Sequence, residues 1–373
     1  MLFNFNTPTE VVFGNEKFSQ VSKLTEKFGK IPLVVCGRNS MIKHKYITKL
    51  NSNFLKDKKK IIIYNNISPD AKSDEVNEAV KIVKKNKVDF IIGLGGGSAI
   101  DAAKAIGVSV NFKKVEDIIG KTLHDNVKSL PVIAIPTTSG TGSEVSKGAI
   151  ITDVVRKFKS GIRGNMIFPK MAIIDPLLSL TMPKNVQAET GFDAFTHLLE
   201  SFLAKKSSAI TEILSERGLS LLFKYLPMSL KKRENLKLRE KISFAAYLGG
   251  LNVANASTCL PHRLQQAMGC VKEISHPHAR GLACLYPAWL EEEYKFSKKK
   301  IDKIKSNIGA KGKRFDFILD FMDKIEVNNS LSDYGVRKSH IPKFIQNISG
   351  NIENDPIKNI NSKLIEKIYF KSI

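Results

Sequence analysis

Two pairs of potential ligands lie far apart in this chain. Asp193 and His197 stand at i and i+4 in Asp193-Ala-Phe-Thr-His197, and His262 and His276 follow, fourteen residues from one another. On a helix, positions i and i+4 share a face, so Asp193 and His197 can grip one ion together. Adding the two later imidazoles makes a set of one carboxylate and three nitrogens. That set suits a divalent transition metal such as Fe(II) or Zn(II), with room for a substrate oxygen. A lone D-x-x-x-H often arises by chance on a solvated helix face. Here, however, the flanks Glu189-Thr-Gly-Phe and Ala-Phe-Thr are poor in charge.

A second chemistry is written about a hundred residues upstream. Gly95-Gly-Gly-Ser98 follows the expected strand Asp89–Leu94 and opens the expected helix Ala99–Ile106. Glycines let the backbone approach a pyrophosphate, and the helix N-terminus offers free N–H groups and positive dipole. The next strand runs into Pro136-Thr-Thr-Ser-Gly-Thr-Gly-Ser-Glu144, whose small hydroxyls and glycines suit a polar ligand lying across strand ends. Either loop alone could be only a tight turn; together they predict dinucleotide binding.

The elements that must hold these groups divide the chain. Through the first half, short β-rich runs (Ile31–Cys36, Ile61–Tyr64, Asp89–Leu94, Val132–Ile135) alternate with helical stretches (Asp74–Asn86, Ala99–Val108). This is the pattern of a doubly wound, Rossmann-like parallel sheet. Thr9–Gly14 reads as an extra strand ahead of it. From Asp175-Pro176 onward apolar residues recur at helical spacing, through Ala188–Ala204, Thr211–Tyr225, Arg239–Asn252 and Leu285–Phe296. The expected boundary is near residue 178: an α/β dinucleotide-binding domain over 1–178, then an all-α metal-binding, catalytic domain over 179–373. A ligand is expected in the cleft between them.

Composition narrows the partners. The formal charge of +23 invites a nucleic-acid reading, but the lysines fall in short scattered runs such as Lys58–Lys60 and Lys298–Lys300, without interleaved aromatics. They read as solvated surface, and no nucleic-acid partner is expected. No segment is long and apolar enough to span a bilayer, so no membrane partner is expected. The N-terminus lacks the pattern of a signal peptide. Four cysteines (Cys36, Cys259, Cys270, Cys284) without C-x-x-C spacing suggest a reducing, cytoplasmic setting.

The blocks GGGSAIDAAK (95–104), PTTSGTGSE (136–144), Ala172–Pro176, Thr190–His197 and the His262/His276 pair together resemble the iron-containing (group III) alcohol dehydrogenases, relatives of dehydroquinate synthase and glycerol dehydrogenase. The resemblance runs from about Thr9 to Pro287. It implies a dehydroquinate synthase-like fold, a homodimer, and a metal held by Asp193, His197, His262 and His276. It implies pyrophosphate contacts at Gly95, Gly96, Gly97 and Ser98, further nucleotide contacts at Asp101, Thr137, Thr138, Thr141 and Ser143, and Lys159 near the nicotinamide ribose. The implied activity is hydride transfer between NAD or NADP and a small alcohol or aldehyde, with Fe(II) as the expected metal and Zn(II) as its competitor.

Two positions depart from the family pattern. Many members end the first strand with an aspartate that holds the adenosine ribose; here Gly37 is followed by Arg38-Asn39-Ser40. Glycine, arginine and serine would accommodate a 2′-phosphate that a carboxylate would repel, which favours NADP. The second departure is Gln266, where many members carry a proton-relaying histidine; glutamine cannot titrate. His278 reads as a pocket or structural residue, with a catalytic role as the alternative. An inward-pointing Arg263 or Arg280 would favour an anionic aldehyde such as a phosphonate; otherwise both form surface salt bridges. Three other readings stand beside the dehydrogenase: a glycerol or polyol dehydrogenase, a sugar-phosphate cyclase, and a non-catalytic metal- and nucleotide-binding protein.

Overall fold

A computed structural model describes residues 3–271, 274 and 277–373. It falls into two compact units: residues 7–138 with 142–182, and residues 183–373 with 139–141 and the N-terminal segment to Asn6.

The first unit is built on a six-stranded parallel sheet. Its strands are β1 (Glu10–Phe13), β2 (Pro32–Gly37), β3 (Ile62–Ile67), β4 (Phe90–Gly95), β5 (Val132–Pro136) and β8 (Met171–Ile174), in the order β1-β8-β5-β4-β2-β3. The expected strands are all present, within three residues of their expected ends. The strand ahead of the sheet pairs with β8 at the edge. A β-hairpin of β6 (Gly148–Asp153) and β7 (Phe158–Arg163), not foreseen from the sequence, lies outside the sheet. The helices of nine residues or more in this unit are α1 (Tyr46–Lys56), α2 (Ser73–Asn86) and α3 (Gly97–Ser109). Central strands such as Phe90–Gly95 are buried along their whole length, as strands covered on both faces must be. Two apolar clusters sandwich the sheet, one around Val80, Ile91 and Ile106, the other around Phe54, Phe90 and Ile135.

Strand order reverses between β2 and β4. In such sheets the crevice beyond the carboxyl ends at the reversal is where ligands bind. The two strands end there in Gly37 and Gly95.

The second unit is helical: α4 (Lys184–Leu203), α5 (Ala209–Lys231), α6 (Leu236–Ala256), α7 (Leu260–Met268), α8 (His278–Asn307), α9 (Asp316–Lys324) and α10 (Ser362–Ser372). The helices start earlier and run longer than the apolar periodicity indicates, because their solvent-facing ends are polar. Helix α4 is buried on nearly every side from Gly191 onward, so it forms the axis of this unit. Phe192 and Phe195 stack on each other and pack against Tyr286 of α8. Among the described residues no helix is long and apolar enough to cross a membrane.

Candidate metal centre and nucleotide loop

Periodicity places Asp193, His197 and Glu200 on one face of α4, at i, i+4 and i+7. Asp193 is 3% exposed, and three imidazoles surround its Oδ1. His197 Nε2 stands at 3.6 Å, His262 Nε2 at 3.9 Å and His278 Nε2 at 3.6 Å. The ligand atoms of Asp193, His262 and His278 all lie within 4.8 Å of one another. The rings of His197 and His262 stack with centroids 5.0 Å apart, and His278 lies 5.5 Å from His262.

These separations are too long for hydrogen bonds. Two donors about 2.0–2.2 Å from one ion at a tetrahedral angle stand about 3.4 Å apart, close to what is seen. Asp193 Oδ1 and His262 Nε2 are buried and have no hydrogen-bond partner. An orphaned carboxylate oxygen facing an orphaned imidazole nitrogen costs free energy unless a cation fills the gap. The residues present therefore fit a divalent metal ion.

What aims these ligands was not foreseen. Glu200 Oε1 and Oε2 both lie 2.9 Å from His262 Nδ1, and Glu200 also accepts from Cys259 N at 2.7 Å and Tyr286 OH at 3.1 Å. Burial pushes Glu200 up to about 8 and pushes His262 well below the usual imidazole range. A neutral His262 that keeps its proton on Nδ1 donates to Glu200 and turns a bare Nε2 lone pair toward Asp193. Similarly, His278 Nδ1 lies 2.5 Å from Gln265 Oε1, which leaves Nε2 facing Asp193. Glu200 was legible in principle from its i+7 spacing to Asp193, and Gln265 from its i+3 spacing to His262.

His278 opens α8 directly after Pro277, so its side chain projects from the helix start toward the cluster. It was expected to be a pocket or structural residue, with a catalytic role as the alternative. His276, expected as the fourth ligand, lies outside the described residues. The two arginines are engaged elsewhere. Arg280 donates to Glu189 at 3.0 Å, to the Glu326 carbonyl at 2.6 Å and to Asn329 at 2.9 Å. Arg263 donates to Ser257 at 3.2 Å and Thr258 at 3.1 Å. Gln266 is half-buried on α7.

In the sheet unit, Gly95 has φ +148°, a conformation that L side chains rarely adopt, and Gly96 is the N-cap of α3. A Cβ on Gly96 would meet Thr138 at 3.4 Å, and Thr137 N donates to Gly95 O at 2.9 Å, so the two glycine-bearing loops lie side by side. Gly97 and Ser98 form the open first turn of α3, with Ser98 Oγ accepting from Asp70 N at 3.2 Å. Lys159 pairs with Asp70 at 2.7 Å. Asp101 and Ser143 turn inward to a fully buried Lys104. Its Nζ lies 3.1 Å from Asp101 Oδ1, 2.7 Å from Ser143 Oγ and 2.9 Å from the Ser143 carbonyl. Ser139 Oγ and Ser243 Oγ are 2.9 Å apart, and Gly140 packs on the Thr190 backbone; both contacts, with Thr141 beside them, are internal to the helical unit. At the end of β2, Arg38 reaches Glu75 at 3.5 Å, and Ser40 opens a single helical turn.

Residues 8–176 match the family described as iron-containing alcohol dehydrogenase, and residues 187–373 match the C-terminal part of the Fe-containing alcohol dehydrogenase family. The chain belongs to the iron-containing alcohol dehydrogenase family. Among relatives, the NAD-dependent methanol dehydrogenase of Bacillus methanolicus is 34% identical over 58% of this chain and 57% of that enzyme. The NADPH-dependent butanol dehydrogenase of Clostridium saccharobutylicum is 26% identical over 100% of this chain and 97% of that one. A crystal structure of an archaeal halo-thermophilic Red Sea brine pool alcohol dehydrogenase superimposes with a TM-score of 0.93 at 26% identity, covering 100% of this chain and 99% of the other. As a member of this family, the protein is an oxidoreductase, a metal-dependent alcohol dehydrogenase.

Proposed function

We propose that this dehydrogenase interconverts a small, uncharged primary alcohol and its aldehyde with NADP(H), using one divalent ion held by Asp193, His197, His262 and His278. The observation that carries this reading is the buried pair Asp193 Oδ1 and His262 Nε2, which have no hydrogen-bond partner and sit beside two further imidazoles. When bound, a divalent cation supplies Lewis acidity toward an alcohol or carbonyl oxygen, and the nicotinamide gives or takes the hydride. Asp193 offsets half the charge of such an ion, and Glu200 and Gln265 hold two imidazoles in the right tautomer. Gly95, Gly96, Gly97 and Ser98 offer backbone amides and the positive end of α3 to a pyrophosphate. Thr137, Thr138, Thr141 and Ser143 remain candidates for nucleotide contact, although Ser143 and Asp101 also serve Lys104. With Gln266 unable to titrate, turnover on this reading does not depend on an imidazole there.

NADP is favoured because β2 ends in Gly37 rather than a carboxylate, with Arg38 and Ser40 next to it. Arg38 has to give up or share its 3.5 Å contact with Glu75 to reach a phosphate. An uncharged substrate is favoured because Arg263 and Arg280 already donate to the protein. Fe(II) is the expected metal, and Zn(II) binds the same donors. A cytoplasmic homodimer completes the reading; the four cysteines are free and buried, as a reducing compartment allows.

The test is a panel of short aldehydes with NADPH or NADH and protein reconstituted with Fe(II) or Zn(II). Consumption of NADPH is expected with the reconstituted protein and not after chelation. A polyol dehydrogenase would favour diols, and a sugar-phosphate cyclase would leave the reduced nucleotide level unchanged. No turnover of any alcohol or aldehyde by the metal-loaded protein would overturn the proposal.

A further inference from the structure

Helix α7, which carries His262, has no cap of its own. Its N-cap residue Cys259 makes no side-chain hydrogen bond to the first turn, and Pro261 has no N–H to be satisfied. Two carboxylates from elsewhere take the first two amides. Glu200 accepts from Cys259 N at 2.7 Å, and Asp355 accepts from Leu260 N at 2.9 Å.

Asp355 is fully buried and receives two more donors, Trp289 Nε1 at 3.0 Å and Ile357 N at 3.0 Å. Glu293, also fully buried, lies against it. Two carboxyls can meet in this way only if one carries a proton, and burial pushes Glu293 up to about 9. Burial raises Asp355 as well. Asp355 thus gathers one side-chain N–H and two backbone N–H groups around its carboxylate. Such charge-assisted bonds are short and directional. On its other side α7 is tied through Leu264 O, which accepts from Tyr369 OH at 2.7 Å.

We propose that Asp355 is a positioning residue for the metal centre. By fixing the first turn of α7, it sets the direction in which His262 Nε2 points. Leu260 and His262 are two residues apart in that turn, so a tilt of the Leu260 peptide moves the imidazole with it. A helix of nine residues is marginal without external anchors. The inference rests on the reading of Asp193, His197, His262 and His278 as an ion site.

Asp355→Asn keeps the side-chain shape but presents one acceptor and one NH2 group to three N–H donors. Its Zn(II) affinity, measured by competition with a chelator, is expected to fall about tenfold or more. The visible absorption of the Co(II)-loaded protein should change with it, while helical content and NADPH binding are kept. Glu293→Gln leaves all three N–H donors of Asp355 in place and should match the parent in both metal readouts. Parental Zn(II) affinity and Co(II) spectrum in Asp355→Asn would overturn the inference. So would a loss of metal accompanied by equal loss of helical content, which would make Asp355 a general stabiliser. His262→Ala separates the two readings. If it keeps the metal, the ion site itself is wrong; if it loses the metal while Asp355→Asn does not, only the role of Asp355 fails.

Discussion

Two buried polar clusters in this protein behave in opposite ways. Around Lys104, every partner is supplied: Asp101, Ser143 and Ser146 satisfy the ammonium, and Asp101 Oδ2 accepts from Ile150 N at 2.9 Å. Around Asp193, the polar atoms face one another across gaps of 3.6 to 3.9 Å, with Asp193 Oδ1 and His262 Nε2 left orphaned. A closed cluster is part of the scaffold, because each desolvated group already has its bond. An open one is built for something added later, since an unpaired buried polar group costs about 1–3 kcal/mol. The lesson reaches the loop chemistry as well. Asp101 and Ser143 sit in the glycine-rich blocks, yet much of their bonding capacity holds Lys104 in place.

The largest effect should come from the open cluster. Asp193→Ala should lower kcat by about a thousandfold or more, since a lost charge and a lost ligand act on the same ion. The metal-free variant should unfold at the same denaturant concentration as the metal-free parent, or a higher one. A metal-free variant clearly less stable than its parent would mean that Asp193 is structural, and the contrast between the clusters would collapse.

Lys104→Met reverses that pattern. Removing one partner of a buried, closed ion pair costs about 3–5 kcal/mol, which urea unfolding should detect. Zn(II) affinity should not change. A metal-binding defect at parental stability would break the comparison from the other side.

Next is the choice between two imidazoles two residues apart. His278→Ala should weaken Zn(II) binding about ten- to a hundredfold, as loss of an ordered donor or its support does. His276→Ala should be close to silent in the same chelator competition. The reverse outcome would make His276 the fourth ligand, as the family resemblance implies, and leave His278 as a residue of the pocket wall.

The smallest effect concerns the nucleotide. A Cβ on Gly37 would meet only the Ile67 carbonyl, at 3.6 Å, so Gly37→Asp fits without strain. The new carboxylate should repel a 2′-phosphate and shift the kcat/KM ratio about tenfold toward NADH, roughly 1.4 kcal/mol. A parent that already prefers NADH by that margin would show that Arg38 stays with Glu75.

How far each region could be read in advance follows from how local its geometry is. Asp193 and His197 share a face because a helix repeats every 3.6 residues, and Gly95 and Gly96 sit where a strand turns into a helix. These relations need no distant partner, so the residue string alone carries them. The residue string also carries the passage from alternating α/β to all-helical character. The hairpin of β6 and β7 went unseen because its residues mix glycine, charge and short apolar runs, and only pairing across the turn makes them strands. Helix lengths were underestimated for a related reason, since exposed polar turns lack an apolar signature.

The remaining groups meet only through tertiary packing. The i+7 spacing of Glu200 and the i+3 spacing of Gln265 put them on the right helix faces, but do not say that one carboxylate will steady both an imidazole and a helix start, or that an amide will meet the ring nitrogen of His278. Asp355 is ninety-five residues from the amide it holds. By itself, the order of residues determined the chemical types available, the helix face that bears Asp193 and His197, and the glycine-rich turn between strand and helix. Which histidine stands near Asp193, which atoms remain orphaned and which acids aim the ligands were decided by packing. Burial removes the water that would otherwise satisfy each of those groups, and only the folded chain determines what replaces it.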